Sequence, residues 1–364
     1  MFSMKYPNRL FVLLLTVGVA LPIVSEATVK VVTTQETYAA IARELGGDMV
    51  NAESIVPGAA DSHFVKPKPS YAFMLRDADL FVSTGLDLEL WAPVLVNKSG
   101  NRNIADGAAG YVAAAHGIDL LDKPASADRS HGDVHIYGNP HIQTSPINAS
   151  IVATNIATGL CKVDPAGCEI YRNNLTDFND RLARSLYGNS LVELLGVETL
   201  DSLAANGRLV SFLEEQGFAD KIGGWLAEAM PFRGSKLVSY HKNWIYFTTL
   251  FGLEVIGYVE TKPGIPPTAR HVAELIQHID DENVGVLLAA NYFEKRKPEL
   301  ISERTGIVPV IAPMSVGGDA GVETYFDLVD TWIERLLHAY RHSEEAQNHP
   351  HDGEKDHHDV QHRN

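Results

Sequence analysis

The chain has 364 residues, 45% of them hydrophobic and 21% charged, an ordinary globular composition with room for two cores of usual domain size. Its formal net charge of -16, with histidines neutral, argues against nucleic acid or an anionic membrane surface as partner and favours cations. Two cysteines, Cys161 and Cys168, are too little sulfur for a thiolate zinc site.

Lys5 and Arg9 precede an apolar run over residues 10–24, and Ser25-Glu26-Ala27 supplies small residues where a signal peptidase reads. Residues 1–27 are therefore expected to be a cleavable export signal, the run being shorter than the ~20 residues that span a bilayer. Neither cysteine lies at the end of the signal, where a lipid-modified one would stand, so a freely soluble periplasmic protein is expected. In that oxidising compartment Cys161 and Cys168, separated by the bend Asp164-Pro165, suit a local disulfide.

Residues 29–34 read as a strand, 36–45 as a helix ended by Gly46-Gly47, and 50–56 as a second strand leading through Pro57-Gly58 to His63. A helix over 71–77 and a strand over 78–83 continue an alternation that predicts a parallel sheet flanked by helices. In such sheets ligands bind beyond the carboxyl ends of the strands, where His63 falls. Residues 107–136 read as loop; His116, His131 and His135 are taken as solvated, with an auxiliary metal contact as the alternative for the last two. Then comes Gly138-Asn139-Pro140-His141, a histidine on a stiff loop with Pro146 following, and helical patterns over 148–160 and 169–186.

The alternation restarts at 236–240, a strand leading to His241 and a helix ended by Gly252. Strands at 255–259, 284–290 and 308–312 alternate with helices opening at Thr268 and spanning 298–305, and a closing helix covers about 323–339. His271 and His278, on the helix after Thr268, read as surface or boundary residues. The expected organisation is a signal over 1–27, an N-terminal α/β lobe over 28–165, a linking spine helix over 166–200, a C-terminal α/β lobe over 201–341, and a disordered histidine-rich tail over 342–364 that gathers zinc weakly.

Each histidine alone reads more readily as structural than as a ligand. Three of them, His63, His141 and His241, follow strands or rigid turns in both lobes, which points to one metal site in the cleft. Imidazole suits Zn²⁺, whereas Mn²⁺ prefers carboxylate oxygen. With no H-E-x-x-H pair or adjacent general base, binding without catalysis is the simpler use, a zinc-dependent hydrolase being the alternative. Affinity is expected to fall as pH drops through the histidine range near about 6.5.

These motifs, with Tyr240-His241-Lys242-Asn243-Trp244, Phe251-Gly252-Leu253 and Pro263-Gly264-Ile265-Pro266-Pro267, resemble the periplasmic zinc- and manganese-binding proteins of ABC transporters over nearly the whole mature chain. The resemblance implies two α/β lobes joined by one long helix, and a monomer that carries Zn²⁺, or alternatively Mn²⁺ or iron, to a membrane permease. It implies ligands His63 and His141 from one lobe and His241 from the other. The chain departs from the family in having Ile142-Gln143-Thr144-Ser145 after the second histidine, which alters the packing under the ligand. The fourth ligand, usually an aspartate at the end of the last strand, falls to Asp319, with helix capping as its other reading and a water as a substitute ligand.

Overall fold

The computed structural model describes residues 28–124, 135–260 and 264–348; the expected signal, His131 and the tail beyond Asn348 lie outside them. β-branched and apolar runs form β1 (Val29–Gln35), β2 (Val50–Val56), β3 (Leu80–Ser83) and β4 (Tyr111–Ala113), all parallel in the order β2-β1-β3-β4. The second half repeats the pattern, with β5 (Lys236–Ser239), β6 (Glu254–Tyr258), β7 (Val286–Ala290) and β8 (Val308–Ala312) parallel in the order β6-β5-β7-β8. The two sheets therefore share one topology, as the repeated alternation predicts. The three-residue β4 and a helix over Ala92–Ser99 were not expected.

Alternation along the strands divides the apolar residues among three cores. Val31, Leu80 and Val82 of the first sheet and Leu237, Val286 and Leu288 of the second belong to one continuous cluster shared by both halves. The intervening Val32 and Phe81 face an outer layer made by α2 (Pro69–Arg76) and α3 (Ala92–Ser99). Val238, Leu287 and Ala289 do the same in the second half, over helices Ala269–Asp281 and Arg296–Thr305.

The shared core is filled by α1 (Glu36–Gly46), by the hairpin of α4 (Pro146–Val163) and α5 (Cys168–Tyr187), and by the closing helix. Pro146 and the Ser145 side chain, which accepts from the Asn148 amide, start α4. Cys161 and Cys168 lie at bonding distance across the hairpin turn. The expected spine over 166–200 is not one helix: it breaks at Gly188 and Gly196, whose φ of 82° and 74° favour glycine, so the continuous piece is the 20 residues of α5. After α6 (Asn189–Leu195), α7 (Val197–Ala205), α8 (Leu209–Glu215) and α9 (Gly224–Ala229), α10 is Ile245–Phe251, and the two outer helices of the second half are α11 and α12. The closing helix α13 covers Tyr325–Asn348, so residues 342–348, assigned above to the tail, are helical.

The halves meet tightly beneath the cleft. The Thr37 amide and hydroxyl bond Ser315 Oγ at 3.0 and 2.8 Å, and a Cβ built on Gly58 would stand 2.0 Å from the Val316 carbonyl oxygen. Because that neighbour is backbone, Gly58→Ala must push the halves apart; a loss of about 1–3 kcal/mol is expected in denaturant unfolding, and an unchanged midpoint would show the contact to be loose.

Candidate metal centre

The carboxyl ends of both sheets face the same cleft, so the loops leaving β2, β5 and β6 converge there. His63 follows β2 by seven residues. Its amide and Nδ1 both donate to Asp61 Oδ1, at 2.9 and 2.7 Å, while Trp91 Nε1 donates to the Ser62 carbonyl at 2.8 Å and holds the loop. His241 follows β5 by two residues; Ser239 Oγ donates to its carbonyl, and its Nδ1 donates to Glu260 Oε2 at 2.9 Å. Glu260 stands two residues beyond β6 and is itself held by the Gly264 amide. His141 is set by Asn139, whose Oδ1 accepts from the His141 amide. The same Asn139 ties the halves together, donating through Nδ2 to the Lys242 carbonyl and accepting the Tyr246 hydroxyl at 2.6 Å.

His63, His141 and His241 come together, with ring centroids 5.1, 5.6 and 5.7 Å apart. A fourth imidazole joins them. His135, read above as a solvated loop residue, has its ring centroid 5.3 Å from that of His63 and 6.0 Å from that of His141. Asp87, four residues beyond β3, holds it by accepting from His135 Nδ1 at 3.2 Å and from the Ile136 amide at 2.9 Å. One ligating atom each of His63, His135 and His141 lies within 4.8 Å of the others.

Asp319 is not among these groups. Its Oδ2 accepts from Arg335 at 2.6 Å and its Oδ1 from the Ala320 amide on the protein surface, and the arginine holds its carboxyl below the ordinary range. Asp319 thus lies with the Arg335 guanidinium, apart from the histidines it was expected to join, and a fourth imidazole stands in the cluster. Nothing local in the sequence marks His135, because the group that orients it lies 48 residues earlier. The departure after the second histidine is well packed: residues 142–144 form a buried turn in which Thr144 Oγ1 donates to the His141 carbonyl, and Tyr325 donates to the Gln143 carbonyl.

Carboxylates face the Nδ1 side of three of the rings. Burial pushes the Asp61 and Asp87 carboxyls up, but the hydrogen bonds from His63 and His135 outweigh it and leave both below their ordinary range, hence ionised. In a neutral ring, a proton on the Nδ1 that faces the carboxylate leaves the Nε2 lone pair for a ligand. The Nε2 atoms of His63 and His135 then face each other at 3.2 Å, and the buried Nε2 of His141 meets no hydrogen-bond partner. The 3.2 Å contact needs one proton between the two nitrogens, and a metal ion would take its place while reaching the Nε2 of His141. The cavity beside His63 and His141 holds about 10 Å³, room for one small atom and not for an organic substrate.

Burial, then the neighbouring His63, His241 and His135, holds His141 well below its usual value; burial also lowers His241 despite Glu260. With the folded value depressed, the unfolded chain takes up the proton first, so the metal-free fold is stable above about pH 6.5 and loses stability progressively below it. Thermal melts of metal-free protein are expected to show this decline, and His141→Ala to flatten it; an unchanged slope in the variant would assign the decline elsewhere. These two imidazoles stay neutral below the ordinary histidine range, so their part of the affinity persists to lower pH than the sequence suggests.

The family described as zinc-uptake complex component A, periplasmic (ZnuA), matches residues 31–185 and 220–339. The chain belongs to this family. The manganese ABC transporter substrate-binding lipoprotein PsaA of Streptococcus pneumoniae is 29% identical over 86% of this chain and 89% of its own. The high-affinity zinc uptake system protein ZnuA of Bacillus subtilis is 23% identical over 73% and 70%. Other curated relatives match over about half their length, among them PsaA of Streptococcus mitis, 30% identical over 58% of its chain. Among solved structures, the Mn²⁺ complex of the binding protein FpvC of Pseudomonas aeruginosa superposes with a TM-score of 0.65 at 19% identity, covering 86% of this chain and 99% of that one. A ZnuA crystal structure superposes with a TM-score of 0.63 at 19% identity over the same shares. At these identities the likeness shows the ZnuA-family fold. These relatives and neighbours are described as metal-binding or metal-uptake proteins, none as an enzyme.

Proposed function

We propose that the protein captures Zn²⁺ outside the cytoplasmic membrane and delivers it to the permease of an ABC importer, without catalysis. The observation that carries this reading is the convergence of His63, His135, His141 and His241, three of them backed by a carboxylate on Nδ1. Four imidazoles supply the borderline-soft nitrogen set that suits tetrahedral zinc, and the carboxylates behind three of them fix ring orientation and raise ligand basicity. The family and the roles described for the Streptococcus and Bacillus relatives support transport.

Manganese is the second reading, favoured by the PsaA relatives and the Mn²⁺-bound neighbour. Against it stands the ligand chemistry: Asp61, Asp87 and Glu260 are hydrogen-bonded to imidazoles, so the groups facing the metal are nitrogens, whereas Mn²⁺ suits carboxylate oxygen. Competitive titration of both ions, with elemental analysis of the purified protein, decides between them. One tightly held zinc that manganese in excess fails to displace supports the proposal; preferential retention of manganese overturns the choice of cargo.

A further inference from the structure

A second pair of imidazoles lies far from the cleft, on the closing helix. His338 and His342 are both exposed, occupy successive turns at i and i+4, and bring their ring centroids to 4.2 Å with 42° between the planes. Thirteen residues of helix separate His338 from Tyr325, whose hydroxyl reaches Gln143 beside the main cluster, a distance of about 20 Å at helical rise. The pair therefore shares no ligand with that cluster.

We propose that His338 and His342 form a second, weaker site for a nitrogen-preferring divalent cation such as Zn²⁺. Two imidazoles one turn apart on a helix present their nitrogens to a common point over the helix surface, and the helix fixes their spacing before the ion arrives. Solvent fills the remaining coordination positions. Glu334, one turn before His338, and Glu345, three residues after His342, are exposed on the same side and add negative potential. Arg341 stands three residues after His338 and opposes binding, which keeps the site weak; Arg335 is committed to Asp319 and the Ile311 carbonyl. Such a site suits transient loading from solution and release, unlike the enclosed cluster in the cleft.

The test follows histidine modification by diethyl pyrocarbonate in the full chain during zinc titration, read residue by residue by mass spectrometry. This separates the helix pair from histidines elsewhere. His338 and His342 are expected to become protected together, at zinc concentrations about tenfold below those that protect the exposed, isolated His116, and His338→Ala is expected to raise the zinc needed to protect His342 by about tenfold. Protection of the pair at the same zinc concentration as His116, or protection of His342 that survives His338→Ala, overturns the proposal. Circular dichroism of the variant establishes that α13 remains helical.

Discussion

Replacing His135 by alanine is expected to weaken zinc binding by about a hundredfold. Four-ligand zinc sites are worth about 10–16 kcal/mol, so one ligand in four accounts for about 3 kcal/mol, or roughly two powers of ten. Competitive titration against a chelator measures the loss. Asp319→Ala is expected to leave the affinity unchanged and to cost at most about 1 kcal/mol of stability, since its bond to Arg335 lies at the surface. Asp87→Ala, which removes the partner of His135 but leaves the imidazole, is expected to fall between them, at about ten- to a hundredfold. The opposite ranking, with Asp319 essential and His135 dispensable, would return the fourth position to the aspartate.

The largest expected effect on stability belongs to Trp332→Ala. Trp332 is buried, meets Trp244 and Phe247 edge-on at 5.4 and 5.7 Å, and donates from Nε1 to the Pro313 carbonyl at 2.6 Å, anchoring the loop that leaves β8. Removing the indole leaves both a cavity and an unmet carbonyl, a loss of about 3–5 kcal/mol in the unfolding of metal-free protein. Trp332→Phe keeps most of the apolar contact and is expected to lose about 1–3 kcal/mol through the carbonyl alone. Equal losses in the two variants would mean that the hydrogen bond, and not the packing, dominates at this position.

The fold was legible in the sequence wherever local pattern decides conformation. Strands such as 50–56 and 308–312 are short apolar or alternating runs bounded by turns, and Thr268 caps its helix in the structure as its position predicts. The three-residue β4 carries too little pattern to be read, and α3 gave no signal strong enough to name. Among the site residues, His63, His141 and His241 stand out because each follows a strand end or a rigid turn. His135 has no such mark, since its orientation comes from Asp87 on another loop, a contact that exists only after folding. Asp319 is the converse case: its place in the chain suits a ligand, whereas in the structure Arg335, sixteen residues later and on α13, pairs with it.

The shared apolar cluster sets how the molecule can come apart. Because side chains from both sheets pack into the same mass with α1, α4, α5 and α13, a chain cut between the halves would leave each fragment with an uncovered greasy face and no partner to shield it. The two sheets of one topology thus share one interior, and this fusion of their cores is expected to make the molecule one cooperative folding unit. A single calorimetric transition, and insolubility of either fragment expressed alone, are the signatures of that fusion.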